Sequence, residues 1–313
     1  MEKITLRAFI PLQFKTEIIC EQLVSPSSKP ESFGSASEFF LETSRRAKET
    51  MLGRKPDGMK IFKGTLSGSL PDGSASDGSV PVVCKMAVND AAKKNLEVEA
   101  SFYHGGLQAL QGKCVPHFYG LFQAEVSNNR HYTFLLLSLE TILLGHGHSF
   151  PEVDLEMRKK VLSQLLELHR AGVEHTNFGL ENVVLSPEGE LLIIGFRLAC
   201  EHKCEFLTKR KTFDDLGVGD WAQSIDDIEC RELHDACFDL MDLWVPRYLP
   251  LLEPEYPISV EGFLCPEILA DQVLEDYGIP REVTIPEVKK MRREFETQYR
   301  LFLRDLGWEF DSE

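Results

Sequence analysis

The sequence predicts an α/β (α+β) chain, strand-rich over its first 140 residues and mainly helical after them. Three observations predict this. β-prone runs bounded by turn residues recur up to about residue 140. One amphipathic helix interrupts them, with Leu96, Ala100, Tyr103, Leu107 and Leu110 on a single apolar stripe. Beyond residue 150, helical spacing dominates over 152–170, 225–244 and 286–305.

Taken in order, ITLRAFIPLQF and TEIICEQLV within residues 3–24 read as an added hairpin or a pair of edge strands. SPSSKPESFGSAS (25–37) is a loop by composition. EFFLETSRRAKETML (38–52) has helical spacing at Phe39, Leu41 and Met51. In the following LGRKPDGMKIFKG, Gly53 and Gly58 flank Pro56 ahead of a strand, which reads as a surface turn or a worn phosphate-binding loop. SGSLPDGSASDGS (67–79) is a hairpin loop, and SVPVVCKMAV is a strand carrying Lys85. On the helix that follows, Glu99 borders the apolar stripe and Glu97 is turned further away. FYGLFQAEV (118–126) and HYTFLLLSLE (131–140) are two further strands.

The helix over 152–170 places Leu155, Leu162, Leu165, Leu166 and His169 on one side, with His169 as a core or capping residue. The helix over 225–244 does the same with Ile225, Ile228, Ala236, Leu240 and Leu243. Prolines 246, 250, 254 and 257 impose an irregular path after it. The helix at 286–305 turns Val288, Phe295, Tyr299 and Phe302 inward.

Composition bounds the function classes. With 313 residues the chain can hold one two-lobed domain or two small ones, and 43% hydrophobic residues fit a globular protein. A net charge of −16 gives nucleic-acid binding no general electrostatic support, the basic run Lys209-Arg210-Lys211 notwithstanding. MEKITLRAF lacks the apolar core of a signal peptide, and the run from Phe134 to Leu144 contains Glu140 and is too short to span a bilayer. The expectation is an intracellular protein, cytoplasmic or nuclear, without a membrane partner and with its eight cysteines reduced.

The stretch over 161–199 carries the chemistry. Its polar loop His175-Thr176-Asn177-Phe178-Gly179-Leu180-Glu181-Asn182 lies between apolar segments, and a second apolar run stops at Gly195-Phe196-Arg197. The loop resembles the protein-kinase pattern H-x-D-L-x-x-x-N in length and order, and Gly195 stands where that family has the aspartate of D-F-G. Lys85 resembles the lysine of V-A-I-K, and Glu99-Ala100-x-x-Tyr103 looks like the helix motif of kinase-like proteins of fungal type.

The resemblance implies a two-lobed protein-kinase-like fold. Residues 1–140 would form the small β-rich lobe, with an N-terminal extension, and 141–313 the helical lobe. An adenine pocket would lie near Ser138 to Thr141. Lys85, Glu99, Asn182 and the glycine-loop remnants Gly53 and Gly58 would bind ATP. His175 and Asn177 would occupy the catalytic loop and Gly195 the metal-ligand position. Asn177 offers a neutral amide where a base is needed, and Gly195 has no oxygen to hold Mg²⁺. Glu174, Glu181 and Asp214 are the carboxylates near enough in sequence to compensate.

The function implied is that of a pseudokinase serving nucleotide binding or scaffolding, with a protein partner of unknown identity. One alternative is an atypical ATP-dependent phosphotransferase, since aminoglycoside- and choline-kinase-like enzymes share the H-x-D-x-x-x-x-N loop. The other is an interaction module without a nucleotide site.

Outside this stretch there is no G-x-S-x-G elbow and no H-E-x-x-H zinc helix. Cys200, His202 and Cys204 form C-x-H-x-C, and Cys230, His234 and Cys237 form C-x3-H-x2-C. Together they contain enough ligands for tetrahedral zinc, but the spacings are not those of a common finger. Buried reduced thiols are the preferred reading, with no metal expected. His146 and His148 read as a loop pair. Cys265-Pro266-Glu267 resembles the A-P-E of kinases, but far downstream of Gly195 it is taken as coincidence.

Overall fold

The computed structural model describes residues 5–9, 18–24, 38–43, 51–54, 58–69, 75–126, 130–138, 142–143, 149–186, 189–209, 211–250 and 257–305. The expected loops over 25–37 and around His146 and His148 lie outside these residues, as do most of the expected lobe boundary and residues 139–141 of the expected adenine pocket. Two compact units divide the chain, Met1–Lys209 and Arg210–Glu313. Among the described residues, no helix is long and apolar enough to cross a membrane.

The first unit is built on β1 (Thr5–Phe9), β2 (Ile18–Val24), β3 (Glu38–Glu42), β4 (Met51–Arg54), β5 (Met59–Ser69), β6 (Ala75–Ala87), β7 (Phe118–Val126) and β8 (Arg130–Ser138). Their order is β3-β1-β2-β7-β8-β6-β5-β4, with a further pairing of β3 to β5. That pairing closes seven strands into a barrel. β4 lies along Lys60 to Phe62 on the edge of β5 that β3 occupies from Thr65 to Ser69. The predicted two-lobed kinase-like arrangement with an open small-lobe sheet is therefore corrected: the sheet has no open edge between β3 and β5.

The correction has a local cause at residues 38–52. Phe39 and Leu41 are buried while Phe40 between them is only half-buried. That is the two-residue alternation of a strand, so β3 replaces the first part of the predicted helix, and Met51 begins β4. β3 then pairs in parallel with β1 and antiparallel with β5. The N-terminal hairpin is likewise not an edge: β1 sits between β2 and β3, and β2 between β1 and β7.

Alternation also fills the barrel. Leu6, Ala8, Phe39, Leu41, Phe62, Leu66, Val82, Cys84, Met86, Phe122, Phe134 and Leu136 form one buried cluster. Burying each large side chain contributes about 1.5–3 kcal/mol. The residues between them face outward: Lys85 lies between Cys84 and Met86, and Leu135 and Leu137 flank Leu136. Desolvation pushes the Cys20 thiol up to about 12, and Cys84 higher still, so these cysteines behave as small apolar groups.

Against the outside of the barrel lies α1 (Asp90–His104), capped by the Asn89 side chain, which accepts from the Ala92 amide at 2.8 Å. Its buried residues are Ala92, Leu96, Glu99, Ala100 and Tyr103. α2 (Leu155–Arg170) buries Leu162, Leu165, Leu166 and His169, as its spacing predicts, but Leu155 in its first turn is exposed. β9 (Ile142–Leu143), β11 (Val183–Leu185) and β12 (Leu191–Ile193) make one small sheet. β10 (Val173–Glu174) and β13 (Cys200–Glu201) make another, and α3 (Glu205–Thr208) follows.

In the second unit the predicted helix over 225–244 is broken. α4 (Ile225–Ile228) stops at Glu229, whose φ is 53°, and α5 (Arg231–Asp235) runs into a π-helical turn over Ala236–Leu240. β14 (Tyr248–Pro250) and β15 (Pro257–Ser259) pair antiparallel across the proline-rich stretch. Pro266 opens α6 (Pro266–Tyr277), where proline's missing N–H costs nothing. α7 (Arg281–Gln298) and α8 (Arg300–Asp305) follow, with Val288, Phe295 and Leu303 in a core shared with Val245, Phe263 and Leu269. Phe302 lies among the side chains not described.

Candidate functional site

Lys85 projects from β6 on the outer face of the barrel, and Glu99 faces it from α1. The Lys85 ammonium donates to the Glu99 carboxylate at 2.6 Å, with the side chains 10% and 1% exposed. The two residues that the kinase resemblance marks are therefore paired and almost wholly buried. One turn further along α1, the Tyr103 ring meets Phe196 edge-on, with centroids 5.5 Å apart. Phe196 in turn packs against His175 at 5.0 Å. A continuous line of contacts thus joins Lys85 to the central loop through α1.

That loop is held by its own polar side chains. His175 is fully buried, and its Nε2 lies 2.9 Å from the Ile194 carbonyl. Thr176, at a φ of 60°, donates from its hydroxyl to the Leu198 carbonyl at 2.6 Å. Asn182 ends the short 3₁₀ turn Leu180–Asn182 and donates from its amide to the Asn177 carbonyl at 2.8 Å. The Asn182 carbonyl accepts from the Ile194 amide at 2.9 Å. Asn177 itself is exposed. Two predicted positions, His175 and Asn182, thus tie the loop to the strand that ends at Ile193.

Gly195 has a φ of +92°, and a Cβ placed there would lie 2.7 Å from the Asn182 Oδ1. Both features favour glycine, and Asn182 is anchored by Asn177. Gly195→Ala is expected to lower stability by about 1–2 kcal/mol, measured by urea unfolding. Gly195→Asp meets the same obstacle, so a carboxylate placed there strains the turn that would carry it.

The two glycines of the expected phosphate loop lie on either side of the connection between β4 and β5. Gly53 lies within β4 opposite Ile61. Gly58, at a φ of +91°, accepts from the Val88 amide at 3.2 Å and abuts the Asn89 cap of α1. Lys55 to Asp57, between the two glycines, lie outside the described residues. Of the carboxylates that would compensate for Asn177 and Gly195, Glu174 is 3.3 Å from the His202 Nδ1 and accepts from the Cys200 thiol at 3.6 Å. Glu181 lies against Gly179. Asp214 belongs to the second unit.

The two cysteine–histidine segments differ. In the second unit, the His234 Nδ1 lies 3.3 Å from Asp235 and its ring packs edge-on to Trp244. Burial pushes the Cys237 thiol up to about 12. In the first unit, His202 packs edge-on to His169, with ring centroids 4.9 Å apart and planes at 82°. The helical spacing of α2 marks His169 as a core or capping residue. It is buried as expected, and its ring meets a second imidazole.

No protein-family model matches the chain, and no curated protein matches it.

Proposed function

We propose that the protein is a nucleotide-binding protein without phosphoryl transfer, a pseudokinase in its chemistry, with the closed barrel in place of an open small-lobe sheet. The observation that carries this reading is the buried Lys85–Glu99 pair, coupled through Tyr103 and Phe196 to a loop that lacks both reactive carboxylates. A lysine fixed by a glutamate is held ready for phosphate oxygens. Asn177 orients by hydrogen bonding but takes up no proton, and Gly195 binds no Mg²⁺. Nucleotide would then act as a ligand that stabilises the fold, and a protein partner would read the bound state.

Thermal denaturation in ATP, with and without Mg²⁺, tests the reading. Millimolar ATP is expected to raise the melting temperature by a few degrees, to a similar extent in both conditions. No rise in either condition overturns nucleotide binding and favours an interaction module. Robust metal-dependent phosphorylation that disappears in Lys85→Ala overturns the loss of transfer and favours an atypical phosphotransferase.

A further inference from the structure

We infer that His169, His202 and Cys204 form a zinc site in the first unit, separate from the Lys85–Asn182 region. One ligand atom from each lies within 4.8 Å of the others. Tetrahedral zinc has Zn–N bonds of about 2.0–2.1 Å and Zn–S bonds of about 2.3 Å, so its ligands lie roughly 3.3–3.8 Å apart. The 4.8 Å limit is wider than that spacing, so the three atoms would close in on a bound ion. Three protein ligands leave the fourth position to water or to a further side chain.

The three residues come from different elements, each fixed independently. His169 sits in the last turn of α2 and is 2% exposed. His202 follows β13, and its amide donates to the Gly172 carbonyl at 2.9 Å. Cys204 is buried at the N-terminus of α3, which Phe206 anchors in the core. The pairing of β10 with β13 places Glu174 opposite Cys200, and the Glu174 carboxylate lies 3.3 Å from the His202 Nδ1. With Nδ1 turned to Glu174, Nε2 is the nitrogen presented to a metal. A carboxylate behind a ligating imidazole fixes the ring and raises its basicity.

The mix of two imidazoles and one thiolate suits zinc and disfavours magnesium or calcium, which take oxygen ligands. A route for the ion is present too. A cleft of about 650 Å³ is lined by Ser101, Gly105, Gly172, His202 and Lys203, so the ligand His202 borders solvent. The carboxylate beside His202 and the perpendicular imidazole pair are features of a ligand set.

Metal analysis of the full chain, purified without chelator, is expected to find roughly one zinc per chain. His202→Ala and Cys204→Ser are expected to weaken zinc at least tenfold in competition with a chromophoric chelator, while Cys200→Ser leaves it unchanged. Should those variants fail to fold, the wild-type chain stripped and reloaded with Co²⁺ answers the question. A thiolate-to-cobalt charge-transfer band with tetrahedral d–d absorption supports the site. The inference is overturned by a stripped chain with no thiolate band and a melting temperature unmoved by Zn²⁺. Unchanged zinc affinity in Cys204→Ser also overturns it.

Discussion

Glu99→Ala is expected to destabilise the protein by about 3–5 kcal/mol, read as a lowered midpoint in urea unfolding at unchanged slope. The Glu99 side chain is 1% exposed and holds the Lys85 ammonium at 2.6 Å. Removing the carboxylate leaves that ammonium desolvated without a counter-charge, and its solvation cost in the interior is several kcal/mol. A surface pair would behave otherwise, since exposed ion pairs contribute about 0–1 kcal/mol. A loss below about 1 kcal/mol would mean that Lys85 reaches water once its partner is gone.

The double replacement Lys85→Met with Glu99→Leu separates stability from binding. Replacing both charges with apolar groups of similar size removes the desolvation penalty as well as the attraction, so much of the lost stability is expected to return. A folded double variant that no longer gains stability from ATP would assign phosphate recognition to Lys85. One that keeps the full ATP effect would show that the pair only fastens α1 to β6.

Lys85 and Glu99 were singled out by the kinase resemblance; a lysine in a β-prone run and a glutamate beside an apolar stripe do not by themselves place the two side chains together. The kinase resemblance marked His175 and Asn182 for catalysis and ATP binding, and their contacts with Ile194 and Asn177 were not legible, because they depend on how the loop folds back on itself. Nor was the barrel. Its closure depends on β3, and over a few residues Phe39 and Leu41 fit both a helix and a strand. Charges at Arg45, Arg46 and Lys48 then favour the helical reading. Only the pairing of β3 with β5, which is long-range, decides between them.

The residues of the proposed zinc site include two that the sequence pattern marks, although buried thiols without a metal were the expectation. C-x-H-x-C marks His202 and Cys204, but His169 lies well upstream and matches the apolar side of α2 so well that a core role accounts for it. Gly195 illustrates the opposite difficulty. In the kinase resemblance it stands where that family has an aspartate. As a backbone position at a φ of +92° beside Asn182, it is a glycine that the turn requires.

Phe196→Ala is expected to cost about 3–5 kcal/mol, because the side chain is completely buried and its loss leaves a cavity that the surrounding rings fill only in part. Phe196 touches Tyr103 at 5.5 Å and His175 at 5.0 Å, and Tyr103 also stacks on Phe118 at 5.7 Å. The ring therefore joins α1 to the central loop as well as filling space. Phe196→Leu keeps most of the volume and is expected to cost about 1–2 kcal/mol. A double-mutant cycle of Phe196→Leu with Tyr103→Leu isolates the edge-on ring contact, expected at about 0.5–1.5 kcal/mol. Any ATP-induced stabilisation should fall in Phe196→Leu by more than its small loss of stability accounts for, because the connection between Lys85 and the loop runs through this ring. Additive energies in the cycle together with an undiminished ATP effect would show that α1 and the loop act independently, with Phe196 serving only to pack the core.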